Sequence, residues 1–324
     1  MLRIGVLGCG SIAGTLSNTF NAMDSVEAYA VASRDAKKAE EFAKKYGYKR
    51  SYGSYEDLVK DEDVDLVYVA TPHSRHYEDM RLCIENGRPV ICEKSFTINA
   101  KEARKIAELA WEKNVYTAEA IWTRYMPSRK LINDVIESGV IGDIDMLTAN
   151  LSYPISDKKR IVDPELAGGA LLDVGVYGIN FAMMCFGNDI TDIDSFVEMT
   201  DSGVDGRESI SIHFAEGRIA VLTHSIYSRS DRQGVLYGNK GYAIIENINN
   251  PQSIRIYDTE DNLKEEIKVP PQISGYEYEF LEAAERIEAG ENESASMPLD
   301  ESIRVMEVMD RLRKTWDLVY PKEK

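Results

Sequence analysis

Short hydrophobic runs and charged stretches alternate along the first 120 residues of the chain. The hydrophobic runs are mostly rich in β-branched residues, a pattern typical of buried strands. Strands are therefore predicted at residues 4–7, 28–32, 66–70, 90–92 and 115–118, with helices at residues 11–23, 36–46, 55–60, 74–86 and 99–114. Strands that alternate with helices in this way predict a parallel sheet covered on both faces, which is an α/β domain.

The pattern changes after about residue 125. Alternating polar and apolar positions predict strands at residues 144–153, 193–199, 209–214, 218–226, 234–237, 242–246 and 254–257, with helices at 128–138, 171–186, 276–289 and 299–318. Glu216-Gly217 and Asn239-Lys240-Gly241 fit hairpin turns between neighbouring strands. These features predict a second domain of the α+β class with a largely antiparallel open sheet.

Length and composition agree with two domains. The chain has 324 residues, of which 44% are hydrophobic and 29% charged, an ordinary globular composition. We place the boundary after residue 120, with a first domain at 1–120 and a substrate-binding and oligomerisation domain at 121–324. The net charge of −17 repels phosphate backbones and anionic membranes, so we expect no nucleic-acid or membrane partner.

The four cysteines indicate the compartment. Cys9, Cys83, Cys92 and Cys185 are scattered without C-x-x-C spacing, which argues against a zinc site and a disulfide framework. The first ten residues lack the pattern of a signal peptide, and no hydrophobic run reaches membrane-spanning length. We therefore predict a cytoplasmic protein.

A glycine-rich turn follows the first predicted strand. Gly8-Cys9-Gly10-Ser11-Ile12-Ala13 lies between that strand and a predicted helix, which is the context that gives a G-x-G-x-x-A pattern its meaning. Gly8 permits the tight turn, Gly10 lets the backbone approach a pyrophosphate, and Ser11 and Ile12 open the helix whose N–H groups attract an anion. We favour a dinucleotide-binding Rossmann domain over a βα turn without a ligand.

The end of the second strand bears on the choice of cofactor. An acidic residue there would bond the ribose hydroxyls of NAD, but this strand ends in Ser33 and Arg34, and the guanidinium suits a 2′-phosphate. The alternative is that Arg34 is solvated surface and Asp35 caps the next helix. We favour NADP, with NAD remaining possible.

Polar residues also follow the third and fourth predicted strands. Thr71-Pro72 with His73 and His76 follows one, and Glu93-Lys94 follows the other, at the strand ends where doubly wound sheets bind ligands. Lys94 is suited to donate a hydrogen bond to a substrate oxygen. The histidines lack a second ligand pair at suitable spacing, so we expect no metal site and place His76 at the cofactor edge or in a local cap.

These motifs resemble those of the glucose-fructose oxidoreductase / inositol dehydrogenase (Gfo/Idh/MocA) superfamily. The resemblance rests on the glycine-rich turn, Thr71-Pro72 with His76, Glu93-Lys94, and the segment Gly168-Gly169-Ala170-Leu171-Leu172-Asp173-Val174-Gly175-Val176-Tyr177. Within that superfamily the D-x-G-x-Y form and the segment from Glu119 to Arg124 look most like the dimeric dihydrodiol dehydrogenase and NADP-dependent xylose dehydrogenase branch. The resemblance spans essentially the whole chain.

The resemblance implies an activity and a catalytic set. Hydride would pass between nicotinamide and a secondary alcohol or carbonyl of a sugar or cyclic diol. Lys94 and Tyr177 would form the catalytic pair with Asp173, and Tyr177 would exchange the proton. Trp122 and Arg124 would help shape the cofactor and substrate pocket, with a structural role as the alternative. The family motif is usually Glu-Lys-Pro, and Ser95 replaces the proline here, so the turn that presents Lys94 is expected to be less rigid.

The spacing of the residues, taken without the resemblance, also indicates a site on the helix that carries Asp173 and Tyr177. At helical spacing Asp173, Tyr177 and Asn180 share one polar stripe, which would face a cleft while an apolar stripe faces the core. A lysine charge near a tyrosine favours the phenolate, which suits Tyr177 to proton transfer. The other interpretation is a packing tyrosine.

Two other functions share this fold and these motifs. One is a glycosidase that holds NAD tightly and regenerates it in each cycle, and the other is a non-catalytic regulatory protein that binds the dinucleotide. Net turnover of free NADP separates a dehydrogenase from both. An open sheet face needs cover, so we also predict a homodimer or higher homo-oligomer.

Overall fold

The computed structural model describes residues 1–324. By packing, the chain divides into two units: Met1–Tyr125 with Gln272–Met306, and Met126–Pro271 with Glu307–Lys324. This division differs from the boundary predicted after residue 120, because a late segment of the chain joins the first unit. Phe280 in that segment packs its ring against Phe20, with centroids 4.7 Å apart, and against Tyr68 at 5.5 Å.

The first unit contains a six-stranded parallel sheet in the order β3-β2-β1-β4-β5-β6. Its strands are β1 (Leu2–Leu7), β2 (Val26–Ala32), β3 (Arg50–Tyr52), β4 (Leu66–Val69), β5 (Val90–Glu93) and β6 (Thr117–Ala120). The strand order reverses between β1 and β4, so the crevice at their carboxyl ends is the place where this topology binds ligands. The predicted parallel α/β sheet is confirmed.

Helices of the first unit lie close to their predicted positions. They are α1 (Ser11–Phe20), α2 (Ala36–Tyr46), α3 (Tyr55–Val59), α4 (His76–Glu85) and α5 (Ala100–Lys113), and α9 (Glu277–Glu288) joins them from the end of the chain. Three asparagine, aspartate or serine side chains cap helices as their residue types favour: Asp35 caps α2, Ser54 caps α3 and Asn99 caps α5.

The second unit contains an eight-stranded sheet in the order β14-β13-β12-β11-β7-β10-β9-β8. Its strands are β7 (Ile144–Ser152), β8 (Ile190–Met199), β9 (Asp205–Phe214), β10 (Ile219–Ser225), β11 (Gly234–Gly238), β12 (Gly241–Ile245), β13 (Ser253–Asp258) and β14 (Leu263–Lys268). Neighbours pair antiparallel except β7 with β10. The largely antiparallel sheet is confirmed, and both predicted hairpin turns join antiparallel neighbours.

Helices of the second unit include α6 (Pro127–Ser138), the short α7 (Lys159–Val162) and α8 (Val176–Phe186), and α10 (Leu299–Thr315) extends into this unit. A single π-helical turn, Leu171–Gly175, leads directly into α8. Residues 164–186 are apolar and long enough by composition to cross a membrane, but 89% of their most apolar window is buried inside the structure. Burial of this kind is what a core helix shows.

Candidate functional site

The predicted phosphate-binding turn has the backbone that its glycines require. Gly8 adopts a left-handed conformation with φ of 105°, and a Cβ there would lie 2.8 Å from the carbonyl oxygen of Ala70. Gly10 is the N-cap of α1, and no side chain caps the helix. The first N–H groups of α1 therefore have no capping side chain, with Ser11 exposed and Ile12 half-buried beside them.

The end of β2 presents an unpaired cation. Asp35 accepts a hydrogen bond from the backbone N–H of Lys38 (3.2 Å) and caps α2, while Ser33 Oγ accepts one from the N–H of Asp35 (3.2 Å). Arg34 is exposed and makes no hydrogen bond or ion pair with another residue. The capping role considered for Asp35 is therefore confirmed, and it leaves the Arg34 guanidinium available.

The segment after β4 is tied to the segment after β5 by His76. Its ring is fully buried, with Nδ1 2.8 Å from the Ser95 carbonyl oxygen and Nε2 2.9 Å from the Thr71 carbonyl oxygen. Burial lowers the pKa of His76, while the hydrogen bonds to the two carbonyl oxygens, which only accept, act in the opposite direction. Thr71 Oγ1 in turn donates to Asp79 (2.8 Å), next to the turn that Pro72 begins. His76 thus joins the two segments through backbone contacts, and its place at the cofactor edge stays a prediction.

Lys94 stands where the buried strand β5 ends. Glu93 before it is buried and accepts a 2.6 Å hydrogen bond from the hydroxyl of Tyr68. Lys94 itself is half-buried, and Ser95 after it is fully buried. The backbone N–H of Phe96 donates to Glu119 Oε1 (3.0 Å), so the chain on both sides of Lys94 is held by specific bonds.

Two buried carboxyl groups near this strand end were not predicted as functional residues. Burial raises the pKa of Glu119 to about 7 and holds that of Glu279 well above its ordinary value, and Glu93 adds repulsion at Glu279. Both carboxyl oxygens of Glu279 lack a hydrogen-bond donor, so nothing in the structure offsets the cost of burying its charged form. The available signal was position: Glu119 lies between Ala118 and Ala120 on a buried strand, and Glu279 precedes Phe280 on the buried face of α9.

Trp122 and Arg124 have extensive contacts within the first unit. The indole of Trp122 stacks on Tyr276 with centroids 4.1 Å apart and rings 8° from parallel. The guanidinium of Arg124 is 3% exposed and donates to Glu301 at 3.2 Å. These contacts belong to the first unit, not the second, and the pocket role of both residues stays a prediction.

The segment that carries Asp173 and Tyr177 is buried on almost every side. Asp173 is 5% exposed and accepts a 2.6 Å hydrogen bond from Arg160, and Tyr177 is 8% exposed. Asn180 is fully buried and donates to the Val176 carbonyl oxygen. The expected division into a polar stripe and an apolar stripe is therefore not visible as a difference in exposure. The π turn also inserts an extra residue between Asp173 and α8, which alters the α-helical spacing assumed from sequence.

Models of one family match both units. Residues 2–120 match the oxidoreductase family with an NAD-binding Rossmann fold, and residues 130–244 match the GFO/IDH/MocA C-terminal domain. The chain is 32% identical over 336 aligned positions to trans-1,2-dihydrobenzene-1,2-diol dehydrogenase of Mus musculus, covering 100% of this chain and 99% of the relative. The enzyme of the same name from Bos taurus is 30% identical with the same coverage.

Solved structures share the fold. KijD10, a 3-ketoreductase from Actinomadura kijaniata in complex with NADP and TDP-benzene, superimposes with a TM-score of 0.88 at 24% identity, over 97% of each chain. Aldose-aldose oxidoreductase from Caulobacter crescentus gives 0.87 at 19% identity, over 97% of this chain and 96% of that one. With the sheet order, the glycine turn and full-length similarity in agreement, the chain belongs to the Gfo/Idh/MocA family of NAD(P)-binding oxidoreductases.

Proposed function

We propose that this oxidoreductase is a cytoplasmic, NADP-dependent dehydrogenase that acts on a secondary alcohol, or the corresponding carbonyl, of a sugar or cyclic diol. The observation that carries the proposal is the uncapped start of α1 at Gly8 and Gly10, which suits a pyrophosphate. Full-length similarity to enzymes named dihydrodiol dehydrogenases supports the substrate class. Four free cysteines support a reducing compartment.

The residues that would hold the cofactor follow from the first unit. Gly8, Gly10 and the first turn of α1 would bind the pyrophosphate, and Ser33 with Arg34 the 2′-phosphate. Thr71 and Pro72 come after β4, and Glu93 and Lys94 lie at the end of β5, at the same edge of the sheet. Bound NADP supplies hydride transfer at the nicotinamide ring.

We assign proton transfer at the substrate oxygen to side chains of the protein. Tyr177 would exchange a proton with the substrate oxygen through its hydroxyl, and Lys94 would stabilise negative charge on that oxygen. Arg160 fixes the carboxylate of Asp173 four positions before Tyr177. The burial of Asp173 and Tyr177 keeps water away from the proton that is transferred.

Arg34→Ala tests the cofactor preference. Losing a charge-assisted hydrogen bond to the 2′-phosphate is expected to weaken NADP binding by ~1–3 kcal/mol and to leave NAD binding almost unchanged. Binding is measured by titrating each nucleotide against protein fluorescence. Arg81→Ala removes the same charge from the exposed face of α4 and should alter neither affinity. Equal losses for both nucleotides in Arg34→Ala would contradict the assignment.

A substrate panel tests the activity. Pentoses, hexoses, inositols and vicinal diols are assayed with free NADP, and NADPH formation is followed by absorbance. Net reduction with at least one class of diol or sugar is expected. Product formation without net NADP reduction would instead indicate the glycosidase, and tight NADP binding with no turnover of any compound would indicate a regulatory protein.

We also propose that the protein is a homodimer through its open sheet. Leu147 and Ala149 of β7 are buried, and α8 packs on this strand. On the opposite face a row of apolar and aromatic residues crosses the paired strands: Ile219, Met146, Tyr237, Tyr242, Tyr257 and Leu263. A self-complementary row of this kind suits a two-fold interface.

Light scattering at micromolar concentration tests the assembly. A dimer is expected for the native chain and a monomer for Tyr242→Glu, because the dimer would bury an unpaired charge in the middle of the apolar row. Leu281→Glu places the same charge on the exposed side of α9 and should leave the mass unchanged. A native monomer would refute the proposal.

A further inference from the structure

Three ionisable side chains are buried together inside the second unit. Asp205 and Glu208 lie on β9 and His224 on β10, and Glu208 and His224 are direct cross-strand partners. Their side chains have no exposed surface, and His224 Nδ1 lies 2.9 Å from Glu208 Oε1. Asp205 Oδ2 accepts a 2.5 Å hydrogen bond from the backbone N–H of Leu171, the first residue of the π turn. We name these three residues the buried triad.

The buried triad fills space that two glycines leave open. A Cβ added at Gly175 would overlap Glu208 Oε1, and one added at Gly178 would overlap His224 Nε2. Both glycines flank Tyr177 on the same helical segment. Any side chain at either position would push this segment away from the sheet, so the depth at which Tyr177 sits is set by contact with the triad.

The triad contains no fixed cation, and its carboxyl groups compensate by holding a proton. Burial raises the pKa of both Asp205 and Glu208, to about 8, and the Glu208 carboxyl adds repulsion at Asp205. Asp205 Oδ1 and Glu208 Oε2 accept no hydrogen bond, and a proton held between the two carboxyl groups would satisfy them. Burial lowers the pKa of His224 to about 3, so it stays neutral and donates from Nδ1 to Glu208.

Other polar groups around the triad are already paired. Asp173 of the π turn is bonded to Arg160, and the hydroxyl of Tyr320 donates to the Gly168 carbonyl oxygen. Arg313 is held by Glu323 and Asp310 near Tyr320, and the hydroxyl of Tyr227 packs against Gly206 on β9. None of these groups makes a hydrogen bond or ion pair with the triad, so no neighbouring charge replaces the shared proton.

We propose that Asp205, Glu208 and His224 are positioning residues for Tyr177, acting as one proton-sharing unit that seats the helical segment through Gly175 and Gly178. The inference rests on the proposed role of Tyr177 in proton transfer. When the shared proton is lost, two buried anions repel each other beneath the segment and Tyr177 moves out of position. Activity is therefore expected to fall as the pH rises through about 8, the pKa of these carboxyls.

Glu208→Gln is the central variant. Its amide oxygen can still accept from His224, and its N–H₂ group can donate to Asp205 where the shared proton lay, so the geometry is kept and no second anion can form beside Asp205. In the native protein kcat should fall about tenfold from pH 7 to pH 9, one unit above the pKa, and in Glu208→Gln it should stay level. Glu198→Gln, the same change at an exposed position on β8, should follow the native profile. A native-like alkaline fall in Glu208→Gln would overturn the proposal.

A second pair of variants tests the contact itself. Gly178→Ala should lower kcat at every pH without changing the affinity for NADP, because the added methyl group meets His224. His224→Ala in the same chain should recover part of that loss, since it removes the obstructing ring, and the two effects would then be strongly non-additive. Purely additive losses would contradict positioning through this contact.

Thermal unfolding separates this inference from the proposed function. A carboxyl group whose pKa is raised in the folded state contributes stability that is complete below its unfolded pKa of about 4 and lost as the pH rises to about 8. The melting temperature of Glu208→Gln should therefore decline less over this range than that of the native chain. Equal declines in the melting temperatures of the two proteins would overturn the inference that the buried triad shares a proton. If the melting temperatures differ as expected but Tyr177→Phe keeps native kcat, the proposed role of Tyr177 in proton transfer is wrong and the proton-sharing triad still stands.

Discussion

Tyr177→Phe is expected to lower kcat by about 10²–10⁴-fold, the contribution typical of a positioned general acid or base. The substitution keeps the ring and removes only the hydroxyl, so packing of the buried helix should persist. NADP affinity should be unchanged, because the residues assigned to the cofactor belong to the first unit. Steady-state kinetics on a substrate that the native enzyme turns over, together with nucleotide titration, measures both quantities.

A control separates chemistry from the loss of a hydrogen-bonded tyrosine hydroxyl. Tyr153 lies in the same unit, and its hydroxyl accepts a hydrogen bond from Asn249. Tyr153→Phe should therefore change kcat little. If Tyr177→Phe retains near-native kcat, the tyrosine is a packing residue, and proton transfer must be reassigned to Lys94 or Asp173.

Lys94→Ala is expected to cause a comparable fall in kcat. The alanine variant lacks the ammonium group that would stabilise negative charge on the substrate oxygen, and it leaves Glu93 and its bond to Tyr68 in place. Because residues that act as one unit have non-additive effects, the Lys94→Ala/Tyr177→Phe double variant should be far less than multiplicatively worse than either single variant.

Lys105→Ala is the control for this experiment. Lys105 is exposed on α5, so its loss removes the same charge without touching the end of β5. It should leave kcat and NADP affinity unchanged. Independent, multiplicative losses from Lys94→Ala and Tyr177→Phe would show that the two residues do not share one catalytic task.

Most elements were predictable because their local patterns are strong. The buried strands of the first unit lie within a few residues of their predicted positions, and α2 begins and ends as predicted because Asp35 caps its start and Gly47 ends it with a left-handed backbone. Two edge strands were missed. β3 is three residues long and mostly polar, and β14 carries charged, exposed side chains, so neither shows the alternation that burial imposes on inner strands.

The candidate site was predictable in part for the same reason. Glycine turns and strand ends are local, so Gly8, Gly10 and Lys94 could be assigned from sequence. Glu208 and His224 also carried a signal that was not used: they lie in the same alternating register as Ile210 and Leu222, whose side chains are buried. A charged residue at a buried strand position points to a polar cluster.

The sequence by itself determined most of the order of strands and helices, the two sheet types and the glycine turn, because each depends on neighbours close along the chain. The candidate chemistry came from the resemblance of its motifs to those of a known family. Only the tertiary structure decided which distant residues meet. It brought Phe280 into the core of the first unit, paired Arg124 with Glu301, and set Glu208 and His224 against Gly175 and Gly178. These contacts depend on packing across long sequence separations, and local periodicity carries no information about them.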